Sequence, residues 1–194
     1  MRKILCVLLA VVFVWGSLPV SAETAEEISV SAYAAVLYEP VSGTVLFGKN
    51  EHEVLPVAST TKIMTALLAF ESGCENDPVT ITPEMVSVEG SSMGLRAGEA
   101  LALGDIARGM MMASGNDGAN AIALYLSDSA EAFSEKMNAR AAELNMTQPH
   151  FVTPAGLDAE GHGSTAYDMA LLAAEAMQNE EFAAAVGQTA LSVP

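Results

Sequence analysis

Apolar and polar positions alternate along this chain with a period that changes several times, and each change predicts an element. Residues 4–15 are apolar without a break, too few to cross a bilayer, which takes about 20 residues. Arg2 and Lys3 precede that run, and Val20-Ser21-Ala22 follows it with the small residues that a signal peptidase reads. Residues 1–22 are therefore expected to be a signal peptide and 23–194 the exported domain. Residues 34–38 and 44–47 are short runs rich in Val, Leu and aromatic side chains, separated by Glu39-Pro40-Val41-Ser42-Gly43. That pattern predicts a β-hairpin.

From residue 59 the period lengthens. Ile63, Leu67 and Phe70 recur at i, i+4 and i+7, which predicts a helix over 59–70 with Ser59 as its N-cap. Residues 78–83 read as an extended connection, and 89–99, rich in Gly and Ser, as an ordered loop. Asp105 is expected to cap a helix ending near Met112. Ser114-Gly115-Asn116 interrupts it, and a second helical run covers 119–126. Asp128 with Glu131 reads as a capping box before a helix that lines up Phe133, Met137, Ala141 and Leu144 and stops at Asn145. Thr165 with Asp168 repeats the device ahead of 169–177, and a short helix over 181–186 follows. No repeat or linker divides the chain, so the pattern predicts one α+β domain with strands first and helices after.

Charge and composition narrow the partners. The 194 residues carry 8 basic and 24 acidic side chains. Removing 1–22 takes two basic residues and no acidic one, which leaves a net charge of −18. A surface of that sign repels nucleic acid and anionic lipid, so neither is an expected partner. Only Cys74 remains beyond residue 22; no internal disulfide can form, and the acidic residues around it disfavour a reactive thiolate. His52, His150 and His162 are too scattered to suggest a metal site.

The chemistry sits in two motifs. Between Thr60 and Phe70 the only charged residue is Lys62. A helix apolar on all sides is normally buried, and lysine seldom goes inside without a reason. Ser59 stands three residues earlier, on the same side of the helix. A desolvated lysine favours its neutral form and can take the proton of a serine hydroxyl, a weak nucleophile without such a base. The plainer alternative is that Ser59 only caps the helix and Lys62 snorkels to water. Ser114-Gly115-Asn116 is the second motif, set between two strongly apolar helical runs. Ser and Asn compete there for backbone hydrogen bonds, and Gly115 permits a bend. Such a polar break needs partners, supplied either by a cleft or by an ordinary interhelical turn.

S-T-T-K at 59–62 and S-G-N at 114–116 occur with S-S-M-G-L-R-A-G-E, F-V-T-P-A-G-L-D and G-H-G-S-T-A-Y-D-M-A. In their order they resemble the D-alanyl-D-alanine carboxypeptidases, the low-molecular-weight penicillin-binding proteins, from about residue 34 onward. The resemblance implies a penicillin-binding/β-lactamase-like transpeptidase fold of the α+β class, an N-terminal β-hairpin ahead of a helical region. It implies a serine carboxypeptidase that removes the terminal D-alanine from peptidoglycan stem peptides through an acyl-enzyme. Ser59 would be the nucleophile, Lys62 its general base, Ser114 a proton relay to the leaving group and Asn116 a holder of the substrate amide and of the lysine. The Ser59 backbone N–H would serve the oxyanion. No metal or organic cofactor is implied; β-lactams would act as inhibitors, on the outer face of a bacterial cell envelope.

One departure stands out. The family's third motif, K-T-G, is absent; the lysines are Lys3, Lys49, Lys62 and Lys136. The family carries that motif on a strand after the helical region. The expectation is thus a partial catalytic domain with the later strands of the central sheet missing and any membrane anchor outside this chain. Two alternatives stay open. A class A β-lactamase shares S-x-x-K and S-x-N but needs a glutamate to activate water. An inactive penicillin- or wall-binding remnant is the other.

Overall fold

The hairpin forms where the turn residues place it. In the computed structural model, which describes residues 28–190, strand β1 (Ala35–Glu39) pairs antiparallel with β2 (Thr44–Lys49). The Glu39 carboxylate accepts the backbone N–H groups of Val41 at 2.9 Å and Ser42 at 2.7 Å, which fixes the connection. The register slips between Leu37, paired with Phe47, and Tyr38, paired with Val45. Leu46 is thereby left as a bulge residue. The signal-peptide expectation falls outside the described residues. Met1–Val30 and Ser31–Pro194 are separate units, and every helix and strand described belongs to the second.

A 3₁₀ turn, Ala58–Thr61, leads into helix α1 (Lys62–Glu71), and five helices follow: α2 (Leu103–Ala113), α3 (Asn116–Leu126), α4 (Ala130–Glu143), α5 (Ala166–Ala176) and α6 (Glu180–Val186). Helix α1 is the hub, packed against all five others. Met64 and Leu67 on α1 meet a core of Ile106, Met110, Ile122, Phe133, Met137 and Leu172, all fully buried. Each such side chain contributes about 1.5–3 kcal/mol by leaving water. The hairpin attaches through contacts between β1 and α5.

Two arginines tie the helices together. Arg140 on α4 grips Glu71 at the end of α1 through two bonds of 2.9 and 2.7 Å, and Glu175 on α5 at 2.7 Å. Arg108 on α2 joins Asp105 at 3.0 Å and Glu181 on α6, its guanidinium 5.8 Å from the Phe70 ring centre.

Several sequence expectations need correction. Strand β3 (Pro78–Thr80) pairs with β4 (Ala100–Ala102) in a second two-stranded sheet, so the strands do not all come first. Three residues, Ala-Leu-Ala, are too few to show a period. Asp105 is no cap: α2 begins at Leu103 behind Ala102, and Asp105 in its first turn faces Arg108. Helix α4 is capped by Ser129 and not by Asp128. Ser129 has the extended backbone a cap requires, and its Oγ accepts from Ala132 N at 3.1 Å. Thr165 does cap α5, accepting from Asp168 N at 3.0 Å. The box is only half formed, because the buried Asp168 carboxylate accepts from Thr147 N and Gln148 N at 3.0 and 2.9 Å. Asp168 thus ties the approach to the next loop onto α5.

Replacing Asp168 by Ala is expected to lower stability by about 1–3 kcal/mol, because two amides lose their acceptor. The exposed Asp128→Ala change stays within about 0.5 kcal/mol. Urea unfolding of both variants measures the difference.

Candidate active site

Ser59 is not the N-cap of a helix; it lies inside the 3₁₀ turn, which provides no side-chain cap. The reason is geometric. In a 3₁₀ turn three residues complete one revolution, so side chains at i and i+3 eclipse, whereas an α-helical start would offset them by about 60°. Ser59 Oγ and Lys62 Nζ consequently stand one above the other, 3.1 Å apart. The turn opens at Ala58 with φ of +45°, a left-handed conformation uncommon for a residue with a Cβ.

Lys62 is 1% exposed. Its Nζ donates to Ser59 Oγ and, at 2.9 Å, to the carbonyl oxygen of Ala155. Among the described residues no carboxylate forms an ion pair with it. Burial without a counter-charge pushes its pKa below the ordinary lysine value. The snorkelling alternative therefore fails: the amine stays inside.

The loop that supplies Ala155 is fitted closely to the turn. Pro154 O accepts from Thr65 Oγ1 on α1 at 2.6 Å. Gly156 sits at φ +80°, and a Cβ there would lie 1.8 Å from Ala58 O and 2.8 Å from Thr61 Oγ1. No other residue fits. His162, set aside above as isolated, reaches Thr61 Oγ1 with Nε2 at 3.0 Å and accepts the Val152 N–H at Nδ1 at 3.0 Å. Its contacts span 101 residues of sequence, so no local pattern could have announced them.

The second motif forms the joint between α2 and α3. Ser114 ends α2 at φ 54° and ψ 35°, and α3 begins at Asn116. Asn116 donates its backbone N–H to Ser91 O and its Nδ2 to Glu89 O, both at 2.7 Å. Gly90 lies between those carbonyls at φ +89°, where a Cβ would come within 2.6 Å of Asn116 Nδ2. Asp117 is buried beside it and accepts from Ser92 Oγ at 2.6 Å and from the N–H groups of Met93, Gly94 and Leu95 at 2.9–3.0 Å. Burial alone would raise its pKa, but these hydrogen bonds outweigh it and hold the carboxyl below its ordinary value. The loop ahead of Leu95 is thus locked to the start of α3.

The fold brings Ser59 and Lys62 into direct contact. It sets Ser114 and Asn116 at the joint between α2 and α3, two helices that both pack against α1. No hydrogen bond links the two pairs among the described residues. Two cavities of about 690 and 500 Å³ lie elsewhere, one lined by Tyr38, Tyr167 and Arg140, the other by Cys74 and Phe133. Among the described residues no group of three or more His, Cys, Asp or Glu is placed to hold a metal ion.

Residues 21–189 match the family described as D-alanyl-D-alanine carboxypeptidase. Such an enzyme from Bacillus subtilis is 41% identical over 159 residues, which cover 79% of this chain and 41% of the relative. The crystal structure of a D-alanyl-D-alanine carboxypeptidase from Mycobacterium tuberculosis superposes with a TM-score of 0.81 at 31% identity, covering 86% of this chain and 64% of that one. Penicillin binding protein 6B from Escherichia coli gives 0.81 and 31%, over 88% of this chain and 58% of its own. The chain spans 41% and 40% of the length of the two curated relatives that match it first.

Two outcomes are expected. Gly156→Ala costs roughly 2–4 kcal/mol in denaturant unfolding, since it adds strain at positive φ to a backbone clash. Lys62→Met stabilises the fold. Because the folded lysine has the lower pKa, the unfolded state binds more protons between the two values, and wild-type stability rises with pH across that window. The methionine removes a penalty that is complete below the folded pKa. Its gain, about 1–3 kcal/mol, is largest at low pH and shrinks toward about pH 10, as thermal melts at several pH values measure.

Proposed function

The chain belongs to the D-alanyl-D-alanine carboxypeptidase family, and from that premise we propose that Ser59 and Lys62 perform acyl transfer on the D-Ala-D-Ala end of peptidoglycan stem peptides. One observation carries the reading: a lysine 1% exposed, without a carboxylate partner among the described residues, 3.1 Å from a serine oxygen. The neutral amine accepts the Ser59 proton as Oγ attacks the carbonyl carbon between the two alanines. Negative charge develops on the carbonyl oxygen, and the Ser59 N–H, in the turn that opens α1, stabilises it. The C–N bond breaks, and the proton held by Lys62 passes through Ser114 to the departing D-alanine amine. Water then hydrolyses the Ser59 ester and restores the hydroxyl.

Asn116 serves as the acceptor for the substrate amide. Its Nδ2 is fixed on Glu89 O, which orients the amide and leaves Oδ1 to receive an N–H. A β-lactam offers the same carbonyl within a ring, so opening it yields the same ester with no fragment released. Export by residues 1–22 to the outer side of a bacterial cytoplasmic membrane accompanies this reading. No helix among the described residues is long and apolar enough to cross a membrane.

Incubation with a labelled penicillin, followed by peptide mapping, tests the proposal. An adduct on Ser59 is expected, none in Ser59→Ala, and acylation about 10²–10⁴ times slower in Lys62→Ala. The wild-type rate rises with pH as Lys62 loses its proton. A folded chain that takes no label would be a binding module and not an enzyme. Fast penicillin hydrolysis without a lasting adduct would make it a β-lactamase-type hydrolase.

A further inference from the structure

His162 has no part in the acyl-transfer steps, yet it joins the two segments that surround Lys62. The Val152 N–H can only donate, so Nδ1, 3.0 Å away, must be an acceptor. In a neutral imidazole the single ring proton then resides on Nε2, which donates to Thr61 Oγ1 at 3.0 Å. Of the three protonation states, only this tautomer suits the Val152 contact. The Nδ1–H tautomer and the imidazolium both set a hydrogen against another N–H.

Each end of the bridge matters. Thr61 lies between Ser59 and Lys62 in the 3₁₀ turn. Val152 begins the loop whose Ala155 oxygen is the one non-serine partner of Lys62 Nζ, and whose Gly156 abuts Ala58. The turn and the loop are therefore held at three points along the Lys62 side: Pro154 O on Thr65, Ala155 O on Lys62 and the Gly156 contact. His162 supplies the fourth, where the loop begins.

We propose that His162 is a positioning residue for acyl transfer: as the Nε2–H tautomer it latches the nucleophile turn to the Val152 loop and keeps Ala155 O against Lys62 Nζ. The proposal rests on the reading of Ser59 and Lys62 as nucleophile and base. The surroundings favour the neutral ring. Burial lowers the His162 pKa, the charge of His150 lowers it further, and Asp158 opposes both. His150 directs its own Nδ1 to Gly161 O at 2.9 Å, the Phe151 ring stands edge-on with its centre 6.2 Å away, and from the turn the ring meets the neutral Thr61. Acidification puts a proton on Nδ1 against the Val152 N–H and opens the latch.

The test uses the 194-residue chain and two variants. Nitrogen-15 spectra of histidine-labelled protein are expected to show His162 with a bare Nδ1 and a protonated Nε2. In His162→Ala, penicillin acylation of Ser59 falls about tenfold, the size of one or two lost hydrogen bonds, and Lys62, followed by carbon-13 at Cε, titrates closer to ordinary lysine. His162→Gln offers an amide N–H to Thr61, recovers the rate to within about threefold, and loses the acid limb that belongs to histidine. An Nδ1–H tautomer overturns the proposal. So does a Lys62 titration identical in wild type and in a His162→Ala protein of unchanged melting temperature. Should wild type take no penicillin, the acyl-transfer reading fails, while the tautomer and the lysine titration still decide the latch.

Discussion

The structure depends on one buried amine held without a counter-charge. An ammonium ion removed from water and left unpaired costs several kcal/mol, and the fold meets that cost by favouring the neutral form of Lys62 instead of supplying a carboxylate. The arrangement needs a dry setting, which explains why α1 is the helix that touches every other helix. The packing that makes the helix core stable is the same packing that lowers the lysine pKa. An acidic residue among these neighbours would favour the charged form and raise that pKa again. Among the described residues no acidic side chain makes that contact.

The two motifs share a device. Each starts at or directly after a non-glycine residue in the left-handed region, Ala58 at φ 45° and Ser114 at φ 54°. Conformations of this kind persist only where the surroundings over-determine them. At Ala58 the neighbour is the Gly156 backbone, set against Ala58 O. Near Ser114 the surroundings are the Asp117 carboxylate and the loop it gathers. Both supports join an irregular loop to a helix start, one through loop backbone atoms and the other through a helix side chain.

Much of this was legible and the remainder was not, for identifiable reasons. The hairpin and α1 follow from turn chemistry and an apolar period, and the burial of Lys62 follows from the lack of any other charge around it. Ser59 was misplaced as a cap because a serine ahead of an apolar run reads alike whether the first turn is α or 3₁₀. Asp128 and Ser129 are adjacent cap formers, and only the backbone geometry chooses Ser129. Asp105 was read as a cap, but the helix starts earlier. The Lys62–Ala155 bond involves a carbonyl that every residue possesses, so no side-chain pattern encodes it. His162 and Asp117 act on backbone N–H groups, with the same result. Family motifs located the loops; their function in holding the lysine required coordinates.

The separation in sequence of the two walls has a consequence for synthesis. The bonds that place Lys62 reach 93 residues forward to Ala155, and those of Thr61 reach 101 residues forward to His162. Chains emerge from the ribosome N-terminus first, at about 5–20 residues per second, so Ser59 and Lys62 are exposed to the medium well before the lysine is desolvated. During that interval the lysine is an ordinary hydrated ammonium and the serine an ordinary alcohol. Under the proposed acyl-transfer role, nucleophilicity would arrive only with the closing of the second loop, and reactivity toward acyl donors would report that the domain has closed.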